Sequence, residues 1–457
     1  MQVEAWLQRA ACSAPTLTAL QTPEGRLSYA ELLHAARSGA GALCERGARP
    51  GGRVAIALPP GLAFAQALHA CLLLGAVAVP VDLRLTAAER ERIVVGASVL
   101  LEEPLHPESL DPGYPLSPDA DADLPAADAL HELDDVCTVI HTSGTTSAPR
   151  PIELTYGNFL WSALGSAVAL GVDPQERWLC ALPLSHVGGL SILLRSAIYA
   201  STAVVHERFH TDSVLAALGE DRITLVSLVS TTLARLLDAG LSDPPRLRCA
   251  LTGGGPVPAA LVQRAREAGV PVIETYGLTE CCSQAATAPL AAIATPEVGA
   301  GVPLFCTRTE IAATELGTRS GERQSGEIVL SGPTVARGAV AQDGRLHTGD
   351  LGWLDKHGFL HVSGRESDTI VSGGENVAPS EVEAVLEACP GVLEAAVVGR
   401  ADPHWGEAVT AIVVAVPGAS LGEERLREHC VARLAPFKVP KRVELSTAPL
   451  PRTRSGK

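Results

Sequence analysis

Lysine is scarce in this chain. Among 457 residues only Lys356, Lys438, Lys441 and Lys457 carry an ammonium group, against 32 arginines. No basic stripe occurs and the net charge is −15. That argues against a nucleic-acid binder, because displacing counterions from phosphates takes clustered Lys and Arg. Any lysine that the chemistry requires comes from that short set. C-x-x-C spacing is also missing: the eleven cysteines are scattered, with Cys281-Cys282 the one close pair. Neither a zinc site nor a disulfide framework is expected, and reduced thiols of a cytoplasmic protein are. The apolar stretch 62–79 is broken by Gln66, His69 and Gly75 and stops at Pro80; it predicts a buried helix leading into a strand, with no membrane insertion. Met1-Gln2-Val3-Glu4 lacks the basic and apolar regions of a signal peptide.

What is present is apolar and regular. Apolar residues make up 46% of the chain, and strand-like runs alternate with helix-like ones, as in soluble α/β proteins. The length calls for two or three domains. Strands are predicted at 53–58, 77–81, 178–182, 202–206, 223–229, 247–251 and 272–275, and helices at 62–74, 159–169, 231–239 and 258–268. Such alternation implies parallel sheets with crossover helices. Residues 102–135, rich in Pro and Asp, are expected to form a long surface connection joining two sheet layers of one large domain. After Gly299 come short strands at 326–330, 346–347 and 359–362. The last segment, from Asp368, predicts helices at 380–388 and 423–433 and strands at 394–398 and 409–416. A domain boundary is placed near Glu366–Ser367, and no internal repeat is found.

Five loops carry the chemistry. Thr142-Ser143-Gly144-Thr145-Thr146 follows the apolar run 136–140; small hydroxyl residues around a glycine offer the close-range N–H and O–H donors that a polyphosphate needs. Thr252-Gly253-Gly254-Gly255-Pro256 follows a strand and precedes a helix, and its glycines let a flat ligand approach the backbone. Glu274-Thr275-Tyr276-Gly277-Leu278-Thr279-Glu280 ends another strand. It offers an aromatic face for a base, a hydroxyl for a phosphate and a carboxylate for Mg²⁺. Thr348-Gly349-Asp350 lies in a turn-rich region, where a carboxylate on a tight turn suits a pair of ribose hydroxyls or caps the turn itself. Gly364-Arg365-Glu366-Ser367-Asp368 then precedes Ile370 to Asn376.

Together these loops resemble the signature set of the adenylate-forming superfamily, which includes acyl-CoA ligases, nonribosomal-peptide adenylation domains and luciferases. The resemblance runs from the first strands to the last residue. It implies an α/β fold: a large N-terminal domain (1–366) of two mixed or parallel sheets with helices plus a small β-barrel-like part, and a small mobile α+β C-terminal domain (367–457). It also implies the reaction, in which a carboxylate attacks the α-phosphate of ATP to give acyl-AMP and pyrophosphate, and a thiol then displaces AMP. By position, Thr142, Ser143, Gly144, Thr145 and Thr146 would hold the β- and γ-phosphates. Gly253, Gly254, Gly255 and Pro256 with Glu274, Thr275, Tyr276 and Gly277 would flank the adenine. Thr279 would meet the α-phosphate, Glu280 the Mg²⁺ with help from Thr145, and Asp350 and Arg365 the ribose. Ser367 stands at the hinge position, and Gly373, Gly374, Glu375 and Asn376 would face coenzyme A. The terminal Pro451-Arg452-Thr453-Arg454-Ser455-Gly456-Lys457 resembles the motif whose lysine bridges the acyl carboxylate and the α-phosphate, a contribution of roughly 3 kcal/mol or more.

On the acyl side, the stretch Leu182 to Ser196, His206-Glu207-Arg208-Phe209 and Cys281-Cys282-Ser283-Gln284 resemble the 2-succinylbenzoate–CoA ligases of menaquinone synthesis. His186 then occupies the gate between ATP and acyl pockets, with Gly189, Gly254 and Gly277 beside the acyl group. That substrate has two carboxylates and only one reacts; the other needs a positive partner if desolvated. Arg195 is either that partner or a helix-face arginine reaching out to water. The chain departs from the family after the phosphate loop, where Ser147-Ala148-Pro149-Arg150-Pro151 replaces Gly-Lys-Pro-Lys-Gly. Three other readings stay open: a ligase for another acyl or aryl acid, a non-catalytic nucleotide- or acyl-binding relative, and an adenylation domain feeding a carrier protein. ATP, Mg²⁺, coenzyme A and a small carboxylate are the expected partners, without nucleic acid; homo-oligomer formation is left open.

Overall fold

A computed structural model gives the fold, and it describes residues 1–110, 130–142, 149–294, 299–314, 319–320 and 323–451. The helix Leu62–Leu74 lies at its centre. Almost all of its side chains are buried, as expected of a helix that is apolar on every side. It ends at Gly75 with φ +72°, the left-handed cap that glycine adopts without strain. Gln66 is tolerated inside because its Nε2 donates to Ala35 O (3.0 Å) and Ser109 Oγ (2.9 Å). Against it packs the helix Tyr29–Glu45, opened by a capping box between Ser28 and Glu31.

Two sheets sandwich this core. One has nine strands, in the order Val302–Pro303, Ala286–Thr287, Val272–Tyr276, Cys249–Gly253, Leu225–Leu228, Arg177–Cys180, Thr202–Val205, Thr18–Thr22 and Gly25–Ser28. Its six central strands are parallel and both ends antiparallel. The other has five, in the order Val99–Leu101, Arg53–Ile56, Val77–Pro80, Val136–Thr142 and Arg150–Thr155. The first four run parallel and the last returns antiparallel. The expectation that residues 102–135 join two sheet layers is therefore overturned: Val99–Leu101 and Val136–Thr142, on either side of that segment, belong to one sheet. Its end, Leu130–Glu132, pairs instead with Gln2–Glu4.

A four-stranded antiparallel sheet follows, ordered Arg308–Ala312, Gly326–Ser331, Leu346–Leu354 and Leu360–Arg365. The one-turn helix Glu366–Asp368 leads to the last unit. There Gly406–Ala415 pairs with Val392–Asp402, Ile370–Ser372 and Arg442–Ser446, and the helices Pro379–Glu387 and Glu423–Val431 contribute to a separate apolar core. Among the described residues no helix is long and apolar enough to cross a membrane.

Candidate active site

Parallel strands deliver their carboxyl ends to one edge of a sheet, and ligands of open α/β folds bind at that edge. Here Arg177–Cys180, Leu225–Leu228, Cys249–Gly253 and Val272–Tyr276 are consecutive neighbours. Their ends carry His186, Gly253 to Pro256, and Tyr276 to Glu280. Gly253 lies so close to the neighbouring strand that a Cβ would stand 2.4 Å from Thr275 O, and at Gly277 one would stand 1.6 Å from Ser283 O. No side chain fits at either point. Thr275 is engaged within the sheet, its Oγ1 donating to Ala286 O (2.9 Å). Beside it, burial pushes the Glu274 carboxyl up to about 7, with Arg266 opposing.

The best-defined cluster brings three strands together, Val272–Tyr276, Leu346–Leu354 and Leu360–Arg365. The Tyr276 hydroxyl donates to Asp350 Oδ2 at 2.7 Å, and Arg365 Nε lies 3.2 Å from Asp350 Oδ1. Asp350 is only 8% exposed, whereas Arg365 stays largely open to solvent. Burial, then the Asp350 charge, raises the Tyr276 pKa far above its ordinary value, so the phenol remains a donor. Asp350 does not sit on a tight turn, as the sequence suggested. It lies inside the long strand Leu346–Leu354, directly opposite Arg365 in register, at a bulge that re-aims its side chain. Thr279 opens a single helical turn, Thr279–Cys281. Neither Thr279 nor Glu280 has a side-chain partner among the described residues, although Glu280 O accepts from Ala336 N (2.8 Å).

The five-stranded sheet, through Arg84, reaches the same place at His186. This residue caps the helix Val187–Tyr199, and its Nε2 lies 3.2 Å from Arg84 Nη2. Arg84 follows the strand Val77–Pro80 and grips Asp82 with two hydrogen bonds, at 2.9 and 2.6 Å. Burial alone would raise the Asp82 carboxyl, but the hydrogen bonds and charge of Arg84 hold it below its ordinary value. Thus the carboxyl edges of the two sheets meet. Gly189 is needed for packing, since a Cβ would stand 2.5 Å from Pro183 O.

Arg195 lies on the same helix, 3% exposed, which overturns the reading of a helix-face arginine reaching water. Its Nη2 donates to Ser162 Oγ (2.9 Å), and Ser162 Oγ donates to Cys282 O (2.7 Å), just past Thr279 and Glu280. The Trp178 ring lies beneath the guanidinium, 5.7 Å from its centre. No carboxylate pairs with it among the described residues, and its Nε is buried without a partner. Burial lowers its pKa, with only Tyr199 and Cys282 opposing.

Two family models cover the chain: AMP-binding enzyme over residues 7–339 and AMP-binding enzyme C-terminal domain over 381–457. The chain belongs to the AMP-binding enzymes. It is 39% identical to a 2-succinylbenzoate–CoA ligase of Bacillus licheniformis, over 99% of this chain and 97% of that protein. Among solved structures it resembles o-succinylbenzoate CoA synthetase of Bacillus subtilis in complex with the acyl-adenylate intermediate OSB-AMP (TM-score 0.87, 35% identity, covering 100% of this chain and 97% of the other). The same enzyme in complex with ATP and magnesium ion gives a TM-score of 0.85 at 35% identity, covering 100% and 98%.

In this AMP-binding enzyme the expected phosphate loop is described only at its borders. Thr142 pairs with Arg150, and Arg150 Nη2 reaches Gly338 O at 3.4 Å. Ser143, Gly144, Thr145, Thr146, Ser147 and Ala148 lie outside the described residues, as does Lys457. Gly254 has φ +78°, and a Cβ there would stand 3.6 Å from Val229 Cγ1; Pro256 O accepts from Ser230 Oγ (2.6 Å). Ser367 Oγ donates to Asp368 Oδ1 (3.0 Å). Gly373 and Gly374, both at positive φ, form the turn between Ile370–Ser372 and Glu375–Val377, and Gly373 N donates to Trp405 O (2.8 Å). Sequence reasoning missed Asp82, Arg84 and Ser162. The first two had a readable signal, because they directly follow a predicted strand and so fall on its carboxyl edge. Ser162 had none.

Proposed function

We propose that this AMP-binding enzyme is an ATP-dependent acid–thiol ligase that adenylates 2-succinylbenzoate and transfers the acyl group to coenzyme A, the step that acid undergoes in menaquinone synthesis. The observation that carries the reading is the likeness, across nearly the whole chain, to 2-succinylbenzoate–CoA ligases in sequence and in structure. In the first half-reaction an oxygen of the substrate carboxylate bonds to the α-phosphorus and the bond to pyrophosphate breaks. In the second, the coenzyme A sulfur bonds to the acyl carbon and AMP leaves with the former carboxylate oxygen. Carboxylates need this route because an oxyanion is a poor electrophile and a poor leaving group.

The site roles are part of the proposal. Asp350 and Arg365 take the ribose hydroxyls, supported by their pairing in register and by the Tyr276 hydrogen bond. Gly253 to Pro256 and Glu274 to Gly277 line the adenine, supported by backbone positions that admit no side chain. Thr279 meets the α-phosphate and Glu280 the magnesium ion. That assignment fits the donors present: no group of three His, Cys, Asp or Glu suited to a metal occurs among the described residues. Mg²⁺ characteristically takes one or two carboxylates and completes its shell with substrate phosphates and water; its charge would offset that of the phosphates. His186 gates the acyl side, with Gly189 shaping its helix, and Arg195 receives the carboxylate that does not react. Thr142 to Thr146 and Lys457 complete the phosphate contacts. The unit beyond Ser367 moves between half-reactions and brings Gly373 to Asn376 to coenzyme A. Supplying ATP, Mg²⁺, 2-succinylbenzoate and coenzyme A should yield AMP, pyrophosphate and the acyl-CoA in equal amounts. Transfer to a carrier protein but not to free coenzyme A, or turnover only with other acids, would replace this reading.

A further inference from the structure

The segment carrying Asp350 is an unusual piece of sheet. On the strand Gly326–Ser331, Val329 faces His347 and Glu327 faces Leu351. Ile328 alone therefore stands opposite Thr348, Gly349 and Asp350. A bulge of this size loses ladder hydrogen bonds and needs other anchors. Two come from Thr348, whose Oγ1 donates to Ile328 O (2.6 Å) and accepts from Asp350 N (3.1 Å). The rest come from Glu327. Its Oε1 accepts the N–H of Gly349 at 3.1 Å, at a residue with φ +68°. Its Oε2 lies 2.7 Å from His347 Nδ1. On the other side of the ring, His347 Nε2 lies 3.1 Å from Asp343 Oδ2.

An ionised carboxylate accepts hydrogen bonds and donates none. An imidazole whose two nitrogens both face carboxylates satisfies them only when both carry hydrogen, that is, as the imidazolium. We propose that protonated His347 is a positioning residue: it locks Glu327 onto Gly349, and so holds the bulge that presents Asp350 to the nucleotide ribose. This rests on the assignment of Asp350 to the ribose made above.

The surroundings agree. The charged groups about His347 are Glu327 from one neighbouring strand, Asp343 and Arg345 from the turn before its own strand, and Glu310 from the strand Arg308–Ala312. Arg345 ties the last of these in, donating to Asp343 Oδ2 and Glu310 Oε2, both at 2.9 Å. Hydrogen bonds donated to the Glu327 and Asp343 carboxylates raise the His347 pKa above its ordinary value against a smaller desolvation. The sign follows. Below the ordinary histidine range the lock is fully present. As pH rises through the raised value one ring proton is lost, one of the two hydrogen bonds goes with it, and Glu327 is free to leave Gly349.

The test is the dissociation constant of Mg·ATP from the full chain between pH 6 and 9, for the wild type, His347→Gln, His347→Arg and Asp350→Ala. Taking the ratio of variant to wild type cancels the titration of ATP itself. His347→Gln should bind about three- to tenfold more weakly at pH 6, the scale of one charge-assisted hydrogen bond partly transmitted, and should match the wild type at pH 9. His347→Arg, charged throughout, should match at pH 6 and bind more tightly than the wild type at pH 9. Ratios that stay constant with pH for both variants overturn the role of His347. If Asp350→Ala leaves binding unchanged, it is the ribose assignment that fails. An independent readout on the unaltered protein is the NMR signature of the His347 ring, which should show both nitrogens protonated at pH 6; a neutral ring there contradicts the proposal.

Discussion

The nucleotide side and the acyl side of the site treat charge in opposite ways. Asp350 already has a phenol and a guanidinium at hydrogen-bonding distance, so its orientation is set before any ligand arrives. Arg195, more deeply buried, has a serine hydroxyl and an indole face and no carboxylate among the described residues. A satisfied polar cluster is rigid and ready, which is what transition-state stabilisation requires of it. A lone buried cation is costly to the fold, and a ligand that brings the missing negative charge relieves that cost. On the roles proposed above, the first arrangement would serve a nucleotide common to many reactions, and the second would select one acid among many.

The contrast can be broken most directly at Arg195. Arg195→Leu should lower kcat/KM for 2-succinylbenzoate by roughly 100-fold or more, the scale of removing one partner of a buried charge pair. Its Tm should not fall, because an apolar side chain replaces an unpaired buried charge. A lower Tm with unchanged substrate preference, measured on a panel that includes benzoate and fatty acids, would make Arg195 a structural residue. On the other side the balance is reversed. Asp350→Ala should weaken ATP binding by about tenfold and also destabilise the protein by about 1–3 kcal/mol, since the Tyr276 hydroxyl is left buried without its acceptor; calorimetry of binding and of unfolding reads both. Tyr276→Phe removes one hydrogen bond and leaves Asp350 with Arg365. An effect near 1 kcal/mol is expected, visible as a few-fold rise in KM for ATP with little change in kcat.

The remaining prediction concerns stability alone, at Glu274. Its folded-state pKa is raised by burial to about 7, so the folded protein holds a proton there that the unfolded chain releases near pH 4.5. Stability should therefore decline as pH rises from the ordinary carboxylate range to about 7. Glu274→Gln should flatten that part of a Tm-against-pH curve; an unchanged slope would place its origin elsewhere.

Local signals in the sequence were enough for much of the fold. The predicted helix 62–74 is observed with the same bounds, because an all-round apolar run between a glycine at each end leaves little choice. The central strands were legible for the same reason. The strand Arg150–Thr155 was not, since Pro151 within it argues against a strand; the structure accommodates Pro151 because this is the outermost strand of its sheet. The helix Tyr29–Glu45 was passed over as well. Much of its buried face is alanine and glycine, a weak periodic signal, and the small residues serve close packing: a Cβ on Gly39 would stand 3.1 Å from Ala70 Cβ.

The loops after Cys249–Gly253 and Val272–Tyr276 were readable as loops, because glycines, threonines and a carboxylate follow predicted strands. The stretch around Asp350 was misread as a turn and lies inside a strand. The contacts among these segments were not legible. Tyr276 and Asp350 are 74 residues apart, and Arg84 and His186 are separated by 102; nothing local encodes such pairs. The fate of Arg195 was undecidable for a similar reason. Whether an arginine on an apolar helix faces water or the interior depends on which elements pack over it.

Everything proposed for the acyl side rests on the Arg195 guanidinium, buried without a carboxylate among the described residues, selecting a dicarboxylate for adenylation. The direct measurement is ATP–pyrophosphate exchange, without coenzyme A, driven by 2-succinylbenzoate and by its half-ester methylated on the carboxylate that does not react. Exchange should be rapid with the diacid and at least about 100-fold slower with the half-ester. Equal rates with both, or no exchange with either, would contradict that selection.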